Sequence, residues 1–209
     1  MKKAKKILLL VLCAALLVSA SVMGTLAYLT STAKVTNTFT VGSVNITMDE
    51  AKVNEYGQKL NANDGVWVEN EDLAARVSGS NTYKLIPGHT YVKDPTIHVA
   101  QGSEACYVFV KVTNQVGTTI IDVDSLLRAN NWVHLEGNIW YQVDAVDARA
   151  TAKDVVVFKE FTIDPNATAA TLASVPGSLI EVTAYAIQAD GFTSATAAWA
   201  AAGSSFNNP

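Results

Sequence analysis

Short runs of alternating hydrophobicity, turn signatures between them and the lack of helical stretches long enough for βαβ crossovers predict an all-β chain. With about eight or nine strands at roughly 8 to 15 residue spacing, the expected architecture is an antiparallel β-sandwich, jelly-roll-like, with short peripheral helices. Pattern alone does not separate jelly-roll from immunoglobulin-like wiring. A signal peptide is expected to precede this domain.

The signal comes first. Lys2, Lys3, Lys5 and Lys6 stand before an apolar run at residues 7–18, which is too short for a stable bilayer anchor. Small residues permit cleavage after Ala20 or after Ala27, leaving Tyr28 as the new terminus in the second case. Removing four of the 15 basic residues and none of the 19 acidic ones changes the balance from −4 to −8. Such an acidic, exported chain is a poor partner for nucleic acid or anionic lipid. The expected organisation is a removed segment at 1–27, a free N-terminal strand at 28–41 and one β-domain at 42–209. Cys13 leaves with the signal, so Cys106 is the sole mature thiol, expected to be a small buried apolar residue. A fold without a possible internal disulfide must rest on its hydrophobic core.

Val35, Phe39 and Val41 share one parity and Val44, Ile46 and Met48 the other, so the inward face changes phase at Gly42-Ser43. Residues 54–65 read as a turn-rich excursion before Val66-Trp67-Val68, and residues 77–81 as a reversal before Tyr83 and Leu85. Pro87-Gly88 signals a tight turn, and Asp94-Pro95 introduces a strand at 96–100. Residues 105–113 are apolar on both faces until Lys111, as expected of a central strand. Asp122 or Asp124 should cap one or two helical turns through Arg128. Residues 132–135 and 139–143 form a hairpin about Glu136-Gly137-Asn138, and 155–163 and 179–188 are further β-rich runs. Ser194 caps a short alanine-rich helix anchored by Trp199 and stopped by Gly203.

Motifs for chemistry are lacking. His89, His98 and His134 fall in a turn and two strands, without H-E-x-x-H spacing, and there is no G-x-S-x-G serine or phosphate-cradling glycine run. His98 is expected to be a solvated strand position. Asp122, Asp124, Asp144 and Asp147 read as loop charges, and Asp144, Asp147 and Asp154 do not meet calcium-loop spacing. No catalytic residue, metal ligand or cofactor is therefore assigned. Trp67, Trp132 and Trp140 are candidates for stacking on a sugar, with core packing as the simpler role.

Residues 28–39 are rich in threonine, β-branched and aromatic side chains, contain no proline or glycine, and lie at a free chain end. They can form the first strand of their own sheet or add to a neighbour's. Burying Tyr28, Leu29, Val35 and Phe39 would gain roughly 6 to 12 kcal/mol, against an association cost of about 4 to 15 kcal/mol. Exchange between subunits thus requires a groove that is already open. Repeated head to tail, it makes a filament.

Several segments taken in order resemble a known family. They are Gly24-Thr25-Leu26-Ala27-Tyr28-Leu29-Thr30, then Thr36-Asn37-Thr38-Phe39-Thr40-Val41-Gly42-Ser43-Val44, then Leu85-Ile86-Pro87-Gly88-His89-Thr90 leading to Lys93-Asp94-Pro95, and the closing Glu181-Val182-Thr183-Ala184-Tyr185-Ala186-Ile187-Gln188-Ala189 with Trp199. This set is similar to secreted Gram-positive proteins of the TasA and camelysin type, exported through the signal peptidase SipW and cut after the alanine matching Ala27. The resemblance implies a jelly-roll subunit of extracellular biofilm-matrix filaments, partnered by copies of itself or related matrix subunits, with Tyr28, Leu29, Val35 and Phe39 on the donated strand. It also implies an alternative, the zinc-dependent cell-surface proteolysis ascribed to camelysin, for which the sequence supplies no recognisable ligand set. A monomeric β-sandwich that binds through its loops is a further alternative. His89 departs from the family pattern, which often has an acid there, and residues 114–154 do not align with it.

Overall fold

The computed structural model describes residue 13 and residues 42–69, 73–175 and 180–206. The elements below belong to the unit Gly42–Pro209. The expected signal, the cleavage site at Ala27 and Tyr28, and the strand carrying Leu29, Val35 and Phe39 lie outside the described residues.

The described chain is mostly β, in antiparallel sheets with few short helices. Its strands are β1 Ile46–Ala51, β2 Lys59–Leu60, β3 Trp67–Val68, β4 Arg76–Val77, β5 Thr90–Val92, β6 Thr96–Val99, β7 Cys106–Asn114, β8 Val133–Glu136, β9 Ile139–Tyr141, β10 Lys153–Val156, β11 Glu160–Thr162 and β12 Ile180–Gln188. Helices α1 Val123–Ala129, α2 Ala169–Ala173 and α3 Ala195–Ala202 complete the set, with a 3-10 turn at Gly203–Phe206. One four-stranded sheet has the order β10-β6-β1-β4 and the other β12-β7-β9-β8, beside the pairs β11-β5 and β2-β3.

Alternation along the strands divides the core in two. Ile97 and Val99 of β6, with Ile46 and Met48 of β1, share one apolar cluster with Val108, Val110 and Val112 of β7 and with Val182, Ala184 and Ala186 of β12. The other face of β7 puts Phe109 into a second cluster with Ile139, Ile187, Ala195, Ala198 and Trp199. This explains why β7 is apolar on both sides: β12 and β9 flank it in the sheet, the first core lies over one face, and α3 covers the other.

Local signals act as their chemistry predicts. Asp122 caps α1, its carboxylate accepting from the Ser125 N–H at 3.1 Å. Gly88 supplies the positive φ of 74° required by the turn after Pro87. Ser194 caps α3 through Ala197 N–H, and the Trp199 indole N–H donates to Glu136 at 2.8 Å. Cys106 is fully buried, and its thiol is pushed up to about 11 by desolvation.

Several expectations are corrected. The excursion at 54–65 contains a strand, β2, which pairs with β3. Residues 155–163 make two strands in different sheets, because the chain leaves β6 after Val156 and rejoins the fold beside β5. Helix α2, capped by Thr168, was signalled by no hydrophobic period; it is five residues long and none is fully buried. Tyr83 and Leu85 lie outside any strand. Gly203 is no left-handed stop: its φ is −60° and the chain continues into the 3-10 turn. Its lack of a side chain is needed because a Cβ there would lie 2.6 Å from the Trp199 ring. Replacing Gly203 with Ala should therefore destabilise the fold by about 1 to 3 kcal/mol, read as a lower urea midpoint with an unchanged slope.

Candidate functional site

The hydrogen-bonding direction along β12 defines the site. Ala189 N–H donates to the Ala105 carbonyl at 2.7 Å, whereas on β7 Val112 N–H and Val108 O bond toward Asn138 and Gln142 on the other side. Antiparallel alternation then turns the backbone groups of Glu181, Thr183, Tyr185 and Ile187 toward β7. Those of Val182, Ala184 and Ala186 point the opposite way, where β12 is the sheet edge and has no partner strand among the described residues. The side chains of these same three residues pack into the core between the sheets.

A second open edge lies opposite. Ala100 N–H bonds the Asn45 carbonyl at 3.0 Å, so the odd residues of β1 face β6 and the even ones face away. On that outer side β4 covers only Glu50 and Ala51, leaving Ile46 and Met48 without a strand partner among the described residues. Met48, Glu50, Ile180 and Val182 together line a cavity of about 350 Å³ between the two edges. Beside it is a larger one of about 700 Å³, walled by Tyr83, Leu85, Ile121, Phe161 and Leu172. Ser80, Lys93 and Ile180 line both.

The groove has a fixed polar floor. Glu50 is buried, accepting from Lys93 Nζ at 2.7 Å and from Asn81 Nδ2 at 2.8 Å. Asn81 also donates to the Ala51 carbonyl and accepts from Val53 N–H, tying the chain after β4 to the end of β1. Tyr83, over the larger cavity, has its hydroxyl pushed well above the usual range, first by burial and then by the Glu50 charge. It packs edge-on against Tyr91 and Phe161.

On the outer face of this sheet His98 holds three strands together. Its Nδ1 lies 2.7 Å from Asp154 of β10 and its Nε2 lies 2.9 Å from Asp49 of β1. Arg76 of β4 donates Nε to the same Asp49 oxygen and Nη1 to Asp94, both at 2.7 Å. His98 is thus not a free solvated side chain, contrary to expectation: the register places Thr47 and Asp154 directly opposite it, and Asp49 two residues along β1 reaches its other nitrogen. Both nitrogens can donate only in the imidazolium, and the hydrogen bond to Asp49, followed by that to Asp154, raises its pKa. Burial pushes Asp49 up, but hydrogen bonds from His98 and Arg76 outweigh it and hold the carboxyl below its ordinary value.

Of the three tryptophans considered for sugar stacking, Trp132 and Trp140 are 2% exposed and belong to the core, whereas Trp67 is 39% exposed. His89 donates its Nε2–H to the Tyr56 carbonyl and His134 its Nε2–H to the Gly137 carbonyl, far apart in the chain order and in different sheets or turns. Among the described residues no group of three His, Cys, Asp or Glu could hold a metal ion, and no helix is long and apolar enough to cross a membrane. Compared with family models, curated proteins and solved structures, the chain has no match.

Sequence reasoning named no acceptor residue. Residues 179–188 were legible only as a β-rich run, and which edge of β12 stays open depends on sheet order, a long-range property.

Two outcomes follow from these charges. A raised His98 pKa gives stability that is fully present below 6.5, the value for the unfolded chain, and that is lost as pH climbs through the folded value. The denaturation midpoint should fall between pH 6 and pH 9, by about 1 kcal/mol or less for a pair this exposed, and His98→Gln should flatten that slope. Within the groove, Lys93→Met should cost about 3 to 5 kcal/mol by stranding the buried Glu50 carboxylate. Adding Glu50→Gln should restore much of the loss, a non-additivity measurable in a double-mutant cycle.

Proposed function

We propose that the chain is a secreted structural subunit of extracellular matrix or surface filaments, of the TasA type and without enzymatic activity. Residues 28–41 of one copy add as a strand to the open edge of β12 in the next. The observation that carries this reading is the pair of edges without a strand partner among the described residues, β12 and the outer side of β1, framing one groove that Met48, Ile180 and Val182 line beside the Glu50–Lys93 pair.

An edge of nine residues with its core-facing side chains half-buried is a template for strand addition. The segment at 28–41 has the composition to fill it: no proline or glycine, and Leu29, Ala33, Val35 and Phe39 on one parity. The other parity is Tyr28, five threonines and Lys34. An added strand would therefore turn an apolar face to the core and a hydroxyl-rich one to water. The lysine-led apolar run at the start of the chain supports export, and partners such as β1 with β6 and β7 with β12, distant in sequence, support jelly-roll wiring.

Each subunit would use different surfaces to donate and to accept, so the contact does not close on itself. Electron microscopy of protein beginning at Tyr28 should show filaments, and deletion of 28–41 should abolish them. Ala184→Pro removes an N–H that has no strand partner among the described residues, a change an edge strand tolerates. It should leave the monomer folded by circular dichroism and abolish filaments. Filaments that persist after the deletion would overturn the proposal.

A further inference from the structure

We infer that the 700 Å³ cavity is an anchor pocket for the Phe39 ring of the neighbouring copy, and that this contact sets the register of the donated strand. The inference rests on the strand-addition reading above and adds to it a direction and a specificity residue.

A strand of alternating threonine and small residues specifies its own register poorly, because a slip by two residues replaces threonine with threonine on the outer face. Such a strand needs one large side chain and one matching hollow. Phe39 is the largest residue on the apolar parity of 28–41. The hollow is the larger cavity, which joins the groove through Ser80, Lys93 and Ile180 and is walled by the aromatic rings of Tyr83 and Phe161. A dry cavity of about 150 Å³ already accepts benzene, so one of about 700 Å³ takes a phenyl ring with room for an aliphatic neighbour.

Geometry selects Phe39 over Leu29. The cavity lies at the Ile180 end of β12. Nine residues of β12 extend about 30 Å, and the ten steps from Leu29 to Phe39 about 34 Å, so only one of the two reaches it. Every strand pair in this sheet is antiparallel. A strand that continues the pattern runs against β12, bringing its early residues to the Gln188 end and Phe39 to Ile180.

The test uses the exported chain with two single variants. Phe39→Ala empties the plug and leaves the pocket; Leu172→Trp fills the pocket from the short helix α2 and leaves the plug. Each alone should raise the concentration needed for assembly by about 10- to 100-fold, while Leu29→Ala changes it less. Mixed together, the Leu172→Trp chain still donates a competent strand and the Phe39→Ala chain still has an open pocket. The mixture should therefore yield 1:1 dimers that stop growing, seen by analytical ultracentrifugation. A variant that had merely misfolded would give no dimer, and unchanged thermal transitions of the two single variants check this separately. If filaments require 28–41 yet form normally in both variants, the anchor is wrong and strand addition stands. If filaments survive deletion of 28–41, both fall.

Discussion

Half of the backbone polar groups of an edge strand have no partner within their sheet, and on β12 those groups lie along the seam where the apolar core between the two sheets is also incomplete. Among the described residues the N–H and C=O groups of Val182, Ala184 and Ala186 have no partner strand on one side, while their side chains sit half-buried against the core and Val182 lines a cavity. The two deficits coincide in space, so one element can satisfy both. A strand laid there would complete the hydrogen-bond ladder and close the core in a single step.

The other edges are treated differently. β8 is irregular, its register shifting between His134 and Glu136, and Glu136 is engaged by Trp199. β10 opens with Lys153 and Asp154, both exposed, and Asp154 is engaged by His98. β4 is only two residues long and is fastened by Arg76 to Asp49 and Asp94. Bulges, charges and brevity are the usual means of blunting an edge against association. β12 is nine residues long, and its register with β7 is unbroken. Of these four strands, β12 alone combines length with an unbroken register, and Glu181 is its one charged residue. There, the Glu50, Lys93 and Asn81 network keeps the groove floor polar and fixed without filling it.

Much of this fold could be read from the sequence because it depends on local chemistry. The two-sided apolar pattern of residues 105–113 announced a central strand, Asp122 or Asp124 and Ser194 announced helix starts, and Trp199 in an alanine run announced a docked helix. What escaped was non-local. The partners of His98 come from two strands about fifty residues away on either side, so the local pattern of Thr96, His98 and Ala100 could only suggest solvent. Helix α2 has no fully buried residue and touches the core mainly through Leu172, so it left no hydrophobic period. Gly203 looked like a helix stop, but its role is set by the Trp199 ring packed over it. The donor half of the proposed site lies outside the described residues and rests on the sequence alone, whereas the acceptor half is created by sheet order.

Amide hydrogen exchange at Val182, Ala184 and Ala186, compared between dispersed and assembled protein, tests the central claim most directly. Strand addition predicts rapid exchange at these three amides in dilute protein and strong protection in the filament, with Thr183 and Tyr185, bonded to β7, protected in both. Equal protection of Val182, Ala184 and Ala186 at every dilution would mean that the edge is already occupied within each molecule, and would contradict the account.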